Sequence, residues 1–293
     1  MDDTEWLAKR FEERRAHLRG VAYKMLGSLS EADDAVQETW LRLSRDGAGG
    51  VDNLTGWLTT VVGRVCLDLL RSRNARREEP LDARLPDPII GRADGSDPED
   101  AALLADSIGL ALLVVLDTLS PAERVAFVLR DMFAVPFEEI APIVGRSPAA
   151  ARQLASRARR RVRGAPVPDA DLARQREVVD AFLAAARDGD FDALVATLHP
   201  DVLVRADAGA LVPGLPREVR GAHAAAKQAL LFSRRAGFAR AALVNGAAGV
   251  VALSRGRPLS VMGFTIVGGK IVEIDILASA ARLRRLDPTA LED

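Results

Sequence analysis

The stretch GRSPAAARQLASRARRRVRG, residues 145–164, carries seven arginines and no acidic residue, although the 293-residue chain has a formal net charge of only −1. Ser147-Pro148 is typical of a helix start, because serine caps the first turn and proline fits it. A short helix is predicted over 137–144, and Gly145-Arg146 supplies a tight turn after it. Two helices joined by a short glycine-containing turn predict a helix-turn-helix.

The basic helix of this pair is expected to bind a polyanion. A merely solvated helix face usually mixes charges of both signs, whereas this one has no acid from Arg146 to Arg163. In a helix-turn-helix the second helix enters the major groove, where its first residues reach base edges. Arg152 suits guanine and Gln153 suits adenine, while the later arginines suit phosphates. The candidate DNA-binding residues are Ser147, Arg152, Gln153, Ser156, Arg157 and Arg160.

Composition limits the other functions. The longest apolar run, SIGLALLVVL at 107–116, is too short to cross a bilayer, and the N-terminus has no apolar signal, so we expect a cytoplasmic protein without membrane association. Cys66 is the only cysteine, which excludes an internal disulfide and favours a packing role. With three histidines besides, no metal site is predicted, and no motif predicts a cofactor or catalytic residues.

The N-terminal part of the chain is predicted to be helical. Ser30-Glu31-Ala32-Asp33 fits a capping box and predicts the start of the second helix, which buries Ala32, Val36, Trp40 and Leu43. A third helix is predicted over 54–73. The following stretch, EEPLDARLPDPIIGRADGSDPED at 78–100, is acidic and rich in proline and glycine, which indicates a linker.

The pattern changes after residue 169. An amphipathic helix from Leu172 ends at Asp188-Gly189, and tight turns are predicted at Asn245-Gly246 and Gly268-Gly269. Between and after these turns lie the strand-like runs GVVALS, LSVMGFTIV and IVEIDIL. We therefore expect an α+β domain with a curved antiparallel sheet and helices at one side.

Three stretches, in this order and separation, resemble a bacterial RNA polymerase sigma factor of the extracytoplasmic-function group. DAVQETWLRL (34–43) and GWLTTVVGRVCLDLLRSR (56–73) are similar to region 2, and LSPAERVAFVLRDMFAVPFEEIAPIVGRSPAAARQLASRARRRVRG (119–164) is similar to region 4. The resemblance implies two all-α domains, region 2 at 5–77 and a region 4 helix-turn-helix at 101–164. The 78–100 linker resembles the acidic connector that lies in the polymerase channels. Core RNA polymerase and promoter DNA are the implied partners.

The resemblance also implies roles for individual residues. DAVQETWLRL resembles the helix that docks on the polymerase clamp, which makes Asp34, Gln37, Glu38 and Arg42 contact residues; an ordinary amphipathic helix is the alternative. The helix over 56–73 resembles the reader of the minus-ten element, because aromatic and arginine side chains suit unstacked bases and phosphates. Its candidate DNA-binding residues are Trp57, Arg64, Arg71 and Arg73, although Trp57 equally suits the core.

The segment 169–293 resembles the SnoaL-like branch of the nuclear transport factor 2 cone fold, which SigJ-like sigma factors carry as a tail. IVEIDILASAARLRRLD at 271–287 matches the usual ending of that tail. The subgroup's DGGGK-like stretch corresponds to Asp207-Ala208-Gly209-Ala210-Leu211, which lacks two glycines and the lysine, so no role is carried over. Arg205, Asp207 and His223 are the polar candidates for a pocket that binds an unidentified small molecule; the alternative is that they lie at the surface or the core edge.

Two functions of different classes follow. One is a promoter-specific initiation factor whose C-terminal domain contacts the sigma domains and modulates them, since the connector at 164–171 is short. Leu283, Leu286 and Leu291 are candidates for that contact, or they complete the tail's own fold. The other is a DNA-tethered isomerase- or cyclase-type enzyme. A third possible function is an ordinary helix-turn-helix repressor. The DAVQETWLRL helix disfavours it, because a repressor has no need of such a helix.

Overall fold

The computed structural model describes residues 3–46, 53–76, 85–91, 109–208, 217–233, 238–254 and 257–286. The N-terminal helices are α1 (Asp3–Leu26), α2 (Leu29–Asp46) and α3 (Leu54–Arg76). The next group comprises α4 (Leu110–Asp117), α5 (Pro121–Phe127), a π-helical turn (Val128–Met132), α6 (Phe137–Val144) and α7 (Pro148–Val162). The predicted end of α2 at GAGG, residues 47–50, lies outside the described residues.

The C-terminal part combines helices with a sheet. Its helices are α8 (Leu172–Asp188), α9 (Phe191–Thr197), α10 (Ala222–Ser233) and α11 (Ala280–Leu283). Its strands are β2 (Leu198–Asp207), β3 (Glu218–Arg220), β4 (Phe238–Val244), β5 (Ala247–Ser254), β6 (Arg257–Val267) and β7 (Lys270–Leu277). An earlier short strand, β1 (Ile90–Gly91), joins the same sheet.

The chain divides into two compact units. One comprises Met1–Asp82 and Leu113–Ala165, and the other comprises Ala83–Leu112 and Pro166–Asp293. Helix α4 carries the chain from the second unit back to the first. Residues 85–91 of the predicted linker therefore belong with the C-terminal sheet.

The first unit buries the apolar stripes that the periodicity predicts. Leu18 and Met25 of α1, Val36 and Leu43 of α2, and Leu58 of α3 are all fully buried, while Trp40 is half-buried. Helix α3 also packs closely on the later helices: a Cβ at Gly63 would lie 3.3 Å from Leu129 Cδ1 and 3.6 Å from Ile143 Cδ1. The helices of both sigma-like regions thus share one core.

Two predicted helix starts have different outcomes. Ser120 N and Oγ both donate to Glu123 Oε2, at 3.2 and 2.8 Å, so the predicted capping box begins α5. The box predicted at Ser30 is wrong, because α2 already begins at Leu29. The Asp33 carboxylate instead accepts a hydrogen bond from Arg19 Nε at 2.7 Å, a partner that the local pattern does not contain.

Among the described residues, the strands of the second unit form one sheet in the order β1-β4-β5-β6-β7-β2-β3. Asn245-Gly246 and Gly268-Gly269 make the predicted turns with positive φ. The expectation of a wholly antiparallel sheet is wrong at one pairing: β7 runs parallel to β2, with Val204 opposite Ile274. The pattern of a single strand does not encode its neighbour, and β7 reaches β2 only after the β4–β7 hairpins have been completed.

Helices α8, α9 and α10 supply the other half of the second unit's core. The buried cluster is made of side chains from these helices and from one face of the sheet, among them Val179, Phe182, Leu194, Val204, Phe264 and Ile274. Phe182 and Phe264 meet edge to face, with ring centroids 5.7 Å apart. The α+β class and the helices packed on one side agree with the prediction from sequence. Within the described residues, no helix has both the length and the apolar character that a bilayer crossing needs.

Candidate nucleic-acid interface

The basic helix α7 is the second member of a helix-turn-helix, as predicted. Helix α6 ends at Gly145, whose φ of 67° is left-handed, and the chain then enters α7. Ser147 Oγ accepts a hydrogen bond from Ala150 N at 3.3 Å, and Pro148 occupies the first turn. Ser147 is exposed, but its hydroxyl already serves as the helix cap.

The face of α7 that is opposite to the core presents most of the predicted DNA-binding residues. Ala151, Ala155 and Ala158 are buried, and the half-buried Leu154 and Val162 flank them. The exposed residues are Arg152, Gln153, Ser156, Arg157 and Arg160. The spacing that predicts the buried face therefore also selects the exposed one.

The arginines of α7 differ in their partners. Arg159 Nε donates to Asp131 Oδ1 at 2.6 Å, and Arg161 Nη1 donates to Glu123 Oε2 at 3.3 Å, so two of the five are paired with acids from the π-helical turn and α5. By contrast, within the part of the chain that the structure describes, no carboxylate forms an ion pair with Arg152, Arg157 or Arg160. These three guanidinium groups remain available to an external anion.

The sequence reading missed two residues next to this face, Arg130 and Phe137. The Arg152 guanidinium lies over the Phe137 ring with Cζ 5.2 Å from the centroid, and that of Arg130 lies over the same ring at 5.1 Å. The signal for this contact is not in α7, because both residues precede it in the chain.

Helix α3 presents two of its predicted DNA-binding arginines. Arg64 and Arg71 are exposed, and Trp57 is half-buried, which leaves both readings of the tryptophan open. Arg73 is different: its Nε donates to Glu31 Oε1 at 3.1 Å and its Nη1 to Leu26 O at 2.9 Å. The Arg73 guanidinium thus ties the end of α3 to the turn between α1 and α2.

Helix α2 presents a mixed polar and apolar face. Asp34 and Gln37 are exposed, while Glu38 and Arg42 are half-buried and pair along the helix at 2.9 Å. The sequence does not single out Leu41, whose side chain is 54% exposed between the half-buried Trp40 and Arg42. The surface of α2 thus combines exposed acidic and amide side chains with one exposed apolar side chain.

The structure does not bring the three pocket candidates together. Arg205 forms ion pairs with Glu273 and Asp275, both at 2.6 Å, and alternates along β2 with Val204, which lies in the core that the helices cover. Burial raises the pKa of the Asp275 carboxyl above its usual value, against the opposing hydrogen bond from Arg205. Exposed His223 lies on α10 beside Phe191, with ring centroids 5.8 Å apart. A shared site for acid–base chemistry does not follow from this arrangement.

Asp207, the third candidate, belongs to a buried ion-pair cluster that holds the linker. Arg282 Nη1 donates to Asp207 Oδ2 at 2.5 Å, its Nε donates to Asp87 Oδ1 at 3.0 Å, and its Nη2 donates to Leu85 O at 2.6 Å. Arg282 is only 8% exposed. One arginine therefore joins the C-terminal helix, strand β2 and the segment between the two sigma-like regions.

The linker segment is also a strand of the sheet. Ile90 and Gly91 pair antiparallel with Val244 and Leu243, and Asn245 N donates to Ile89 O at 2.8 Å. Asn245 Oδ1 accepts the N–H of Ile89 at 3.1 Å. Residues 85–91 are buried throughout, which the proline- and glycine-rich composition of the linker does not predict.

Two further predictions concern chemistry. Cys66 is fully buried, and burial raises the pKa of its thiol far above the usual value, so the side chain packs and stays protonated. Among the described residues, no group of three or more histidine, cysteine or acidic side chains is arranged to hold a metal ion.

Comparison with known proteins agrees with this geometry. Residues 10–76 match the model of Sigma-70 region 2, and residues 109–162 match Sigma-70, region 4. The chain is 42% identical over 274 residues to the ECF RNA polymerase sigma factor SigJ of Mycobacterium tuberculosis (strain ATCC 25618 / H37Rv), which covers 91% of this chain and 86% of that protein. It is 35% identical over 283 residues to the probable ECF RNA polymerase sigma factor SigI of Mycobacterium tuberculosis (strain CDC 1551 / Oshkosh), covering 95% and 94%. The crystal structure of Mycobacterium tuberculosis SigJ superimposes with a TM-score of 0.77 at 38% identity, over 94% of this chain and 97% of that one.

Proposed function

This chain belongs to the extracytoplasmic-function (ECF) RNA polymerase sigma factors, and from that membership we propose which of its residues bind the polymerase and the promoter. The family directs promoter-specific transcription initiation, so the chain acts through core RNA polymerase and promoter DNA and is a transcription factor rather than an enzyme. Helix α7 reads the minus-thirty-five element, α3 binds the minus-ten element, and α2 docks on the polymerase.

The observation that carries the DNA assignment is the exposed face of α7. Arg152, Arg157 and Arg160 lie on it without a carboxylate partner among the described residues, and Gln153 lies beside Arg152. Arg152 and Gln153 are near the N-terminal end of the helix, where a recognition helix meets base edges. Arg160 lies two turns later and binds a phosphate, which positions the helix without reading sequence.

In α3, the exposed Arg64 and Arg71 bind phosphates and the half-buried Trp57 stacks on an unpaired base. Arg73 supports the helix end from within, because its donors are already taken by Glu31 and the carbonyl of Leu26. We therefore propose that Arg73 holds the end of α3 in position and does not contact DNA directly.

The test is a reconstituted holoenzyme of core RNA polymerase and the full chain, with DNA selected from a library randomised at the minus-thirty-five element. Arg152→Ala should relax the preference at one base pair by about 1–3 kcal/mol, the value of a bidentate base contact. Arg187→Ala is the matched control, since Arg187 is exposed on α8. If Arg152→Ala retains the full preference, this assignment of the reading face is refuted.

We also propose that the C-terminal domain modulates initiation through the linker. The support is the burial of residues 85–91 on the sheet and the Arg282 cluster that binds Asp87 and the Leu85 carbonyl. The same linker resembles the connector that lies in the polymerase channels. A linker that is paired with the C-terminal sheet cannot occupy those channels at the same time, so the sheet and the polymerase compete for it. Leu283 and Leu286 are buried, so they support the domain's own fold, whereas Leu291 lies outside the described residues.

The tethered-enzyme alternative finds less support. Arg205 and Asp207 share one face of β2 but are both engaged in ion pairs, and the third polar candidate, His223, lies on α10.

A further inference from the structure

Phe137, the first residue of α6, holds two guanidinium groups on one aromatic ring. The Cζ atoms of Arg130 and Arg152 lie 5.1 and 5.2 Å from the ring centroid, within the range of a cation–π contact. The ring is only 8% exposed, which fixes its orientation, whereas Arg152 itself is exposed. A rigid ring from one helix therefore supports a long, flexible side chain of the next.

Two cations meet on this ring, while the acidic Glu138 and Glu139 that follow Phe137 are exposed on α6. Arg130 Nη1 donates to Val135 O at 3.4 Å, and in the described ranges neither Arg130 nor Arg152 forms an ion pair with a carboxylate. Two cations that share one ring repel each other, and the negative face of the ring offsets only part of that repulsion. An approaching polyanion would neutralise the pair, which favours DNA at this side of α7.

We propose that Phe137 is a positioning residue for promoter reading, which acts through Arg152. This rests on the proposed function, in which Arg152 donates to a base edge. An arginine on a helix surface loses side-chain freedom when it binds, and a ring that already restrains the guanidinium lowers that entropic cost. The planar guanidinium also has to meet the base edge in one plane, and stacking on the ring restricts its orientation. Phe137 thus sharpens the sequence preference without touching DNA itself.

The experiment uses the reconstituted holoenzyme of the full chain and a DNA fragment selected by the wild type, with single base-pair changes in the minus-thirty-five element. Phe137→Leu removes the ring and keeps an apolar side chain, whereas Phe137→Tyr keeps the ring. We expect Phe137→Leu to lose about two- to five-fold of the preference at the base pair that Arg152→Ala affects, the size of an exposed cation–π contact. Phe137→Tyr should retain the preference, and other base pairs should be unchanged.

A double variant separates positioning from packing. In the Arg152→Ala background, Phe137→Leu should cause no further loss of preference. An equal loss on all DNA sequences, or a loss that persists without Arg152, would overturn the positioning role. If Phe137→Leu unfolds in a thermal melt, Phe137→Met supplies the same loss of the ring with a different apolar side chain. If Arg152→Ala loses base-pair preference and Phe137→Leu does not, only the positioning role of Phe137 is overturned. If Arg152→Ala itself keeps the full preference, both the assignment of Arg152 and the role of Phe137 are refuted.

Discussion

The arginines within the described ranges differ in what their guanidinium groups contact. Some are bound by carboxylates that lie far away in sequence: Asp131 is 28 residues from Arg159, and Asp275 is 70 residues from Arg205. Others, such as Arg152 and Arg160, have no such partner in the described part of the chain. A guanidinium without a protein anion exchanges water for phosphate at little cost, which supports the proposed contacts of Arg152 and Arg160 with DNA. The sequence alone does not distinguish arginines that pair with distant carboxylates from arginines that do not.

At the residue scale, Arg160→Ala is expected to weaken holoenzyme binding to all DNA sequences alike. Its side chain is exposed on the later turns of α7, where a phosphate contact releases one counterion. The slope of log affinity against log salt concentration should become shallower by about 1. A salt series on one specific and one unrelated fragment measures this, with Arg187→Ala as the control. An unchanged slope would contradict the phosphate contact.

A second residue-scale prediction concerns Asp169, which anchors the start of the C-terminal domain. Its carboxylate accepts the N–H groups of Gly268 and Gly269 at 2.9 and 3.0 Å, and these hydrogen bonds hold the pKa of Asp169 below its usual value. Since the folded-state pKa is lower than the unfolded one, the stabilisation is complete above the unfolded pKa and disappears as the pH falls through the folded value.

Asp169→Asn should therefore lower the melting temperature near neutral pH, and the difference from the wild type should shrink as the pH falls below about 4. Thermal melts from pH 7 to pH 3 measure both effects. Asp180→Asn is the control, because Asp180 is exposed on α8. A difference that is constant over this pH range would show that the charge of Asp169 is not what stabilises the turn.

At the scale of single elements, local signals predicted several helix starts and ends, although the box at Ser30 misplaced the start of α2. The Ser120 box, the Ser147 cap and the turn at Gly189 all lie within a few residues of the helices that they limit, so they could be predicted. The parallel pairing of β2 with β7 and the short strand β1 could not, because each depends on a partner at least 70 residues away. The Arg73 contact with Glu31 was missed for the same reason.

Helix α2 carries the element-scale prediction. Replacing both Asp34 and Glu38 by lysine should weaken binding to core RNA polymerase by at least about tenfold, because like charges at an interface are strongly unfavourable. Asp34 is exposed, and the Glu38–Arg42 pair is a surface pair that contributes little to the helix. A titration of labelled protein with core polymerase, with circular dichroism as the check on helicity, measures the effect.

The matched control for that variant is Asp180→Lys, a charge reversal on an exposed helix face of the second unit. If the α2 variant binds core polymerase with wild-type affinity, the docking role of this face is wrong. A parallel Leu41→Ser variant tests the exposed apolar side chain on the same helix, and weaker binding is expected because its 54% exposed surface would be buried on docking.

At the scale of the whole molecule, the linker connects the two sigma-like regions and is also a strand of the C-terminal sheet. The chain leaves the first unit after Asp82, contributes residues 85–91 to the second, and returns through α4. A near-neutral total charge conceals this organisation, since the basic helix faces and the acidic linker cancel in the sum. Covalent connection gives the docked segment a high effective concentration, so its release requires the loss of a strong contact.

Arg282→Ala provides the sharpest test of this arrangement, because removal of residues 278–293 would also remove the buried Leu283 and Leu286. Arg282 contacts Asp87, Asp207 and the Leu85 carbonyl, and loss of one partner of a buried ion pair costs about 3–5 kcal/mol. Such a loss shifts a docking equilibrium by more than a hundredfold, since about 1.4 kcal/mol corresponds to a factor of ten. We expect the linker to leave the sheet edge.

Two measurements detect release of the linker from the sheet in the Arg282→Ala variant. Hydrogen exchange at the amide of Asn245, which donates to Ile89 O, should become faster, and promoter-specific transcription by the reconstituted holoenzyme should rise because the linker is free to enter the polymerase. Arg284→Ala is the matched control, since Arg284 is exposed and its Nε donates to the nearby Ala280 O rather than to the linker. Faster exchange with unchanged transcription would show that docking of the linker has no part in regulation, and unchanged exchange would show that Arg282 does not hold it.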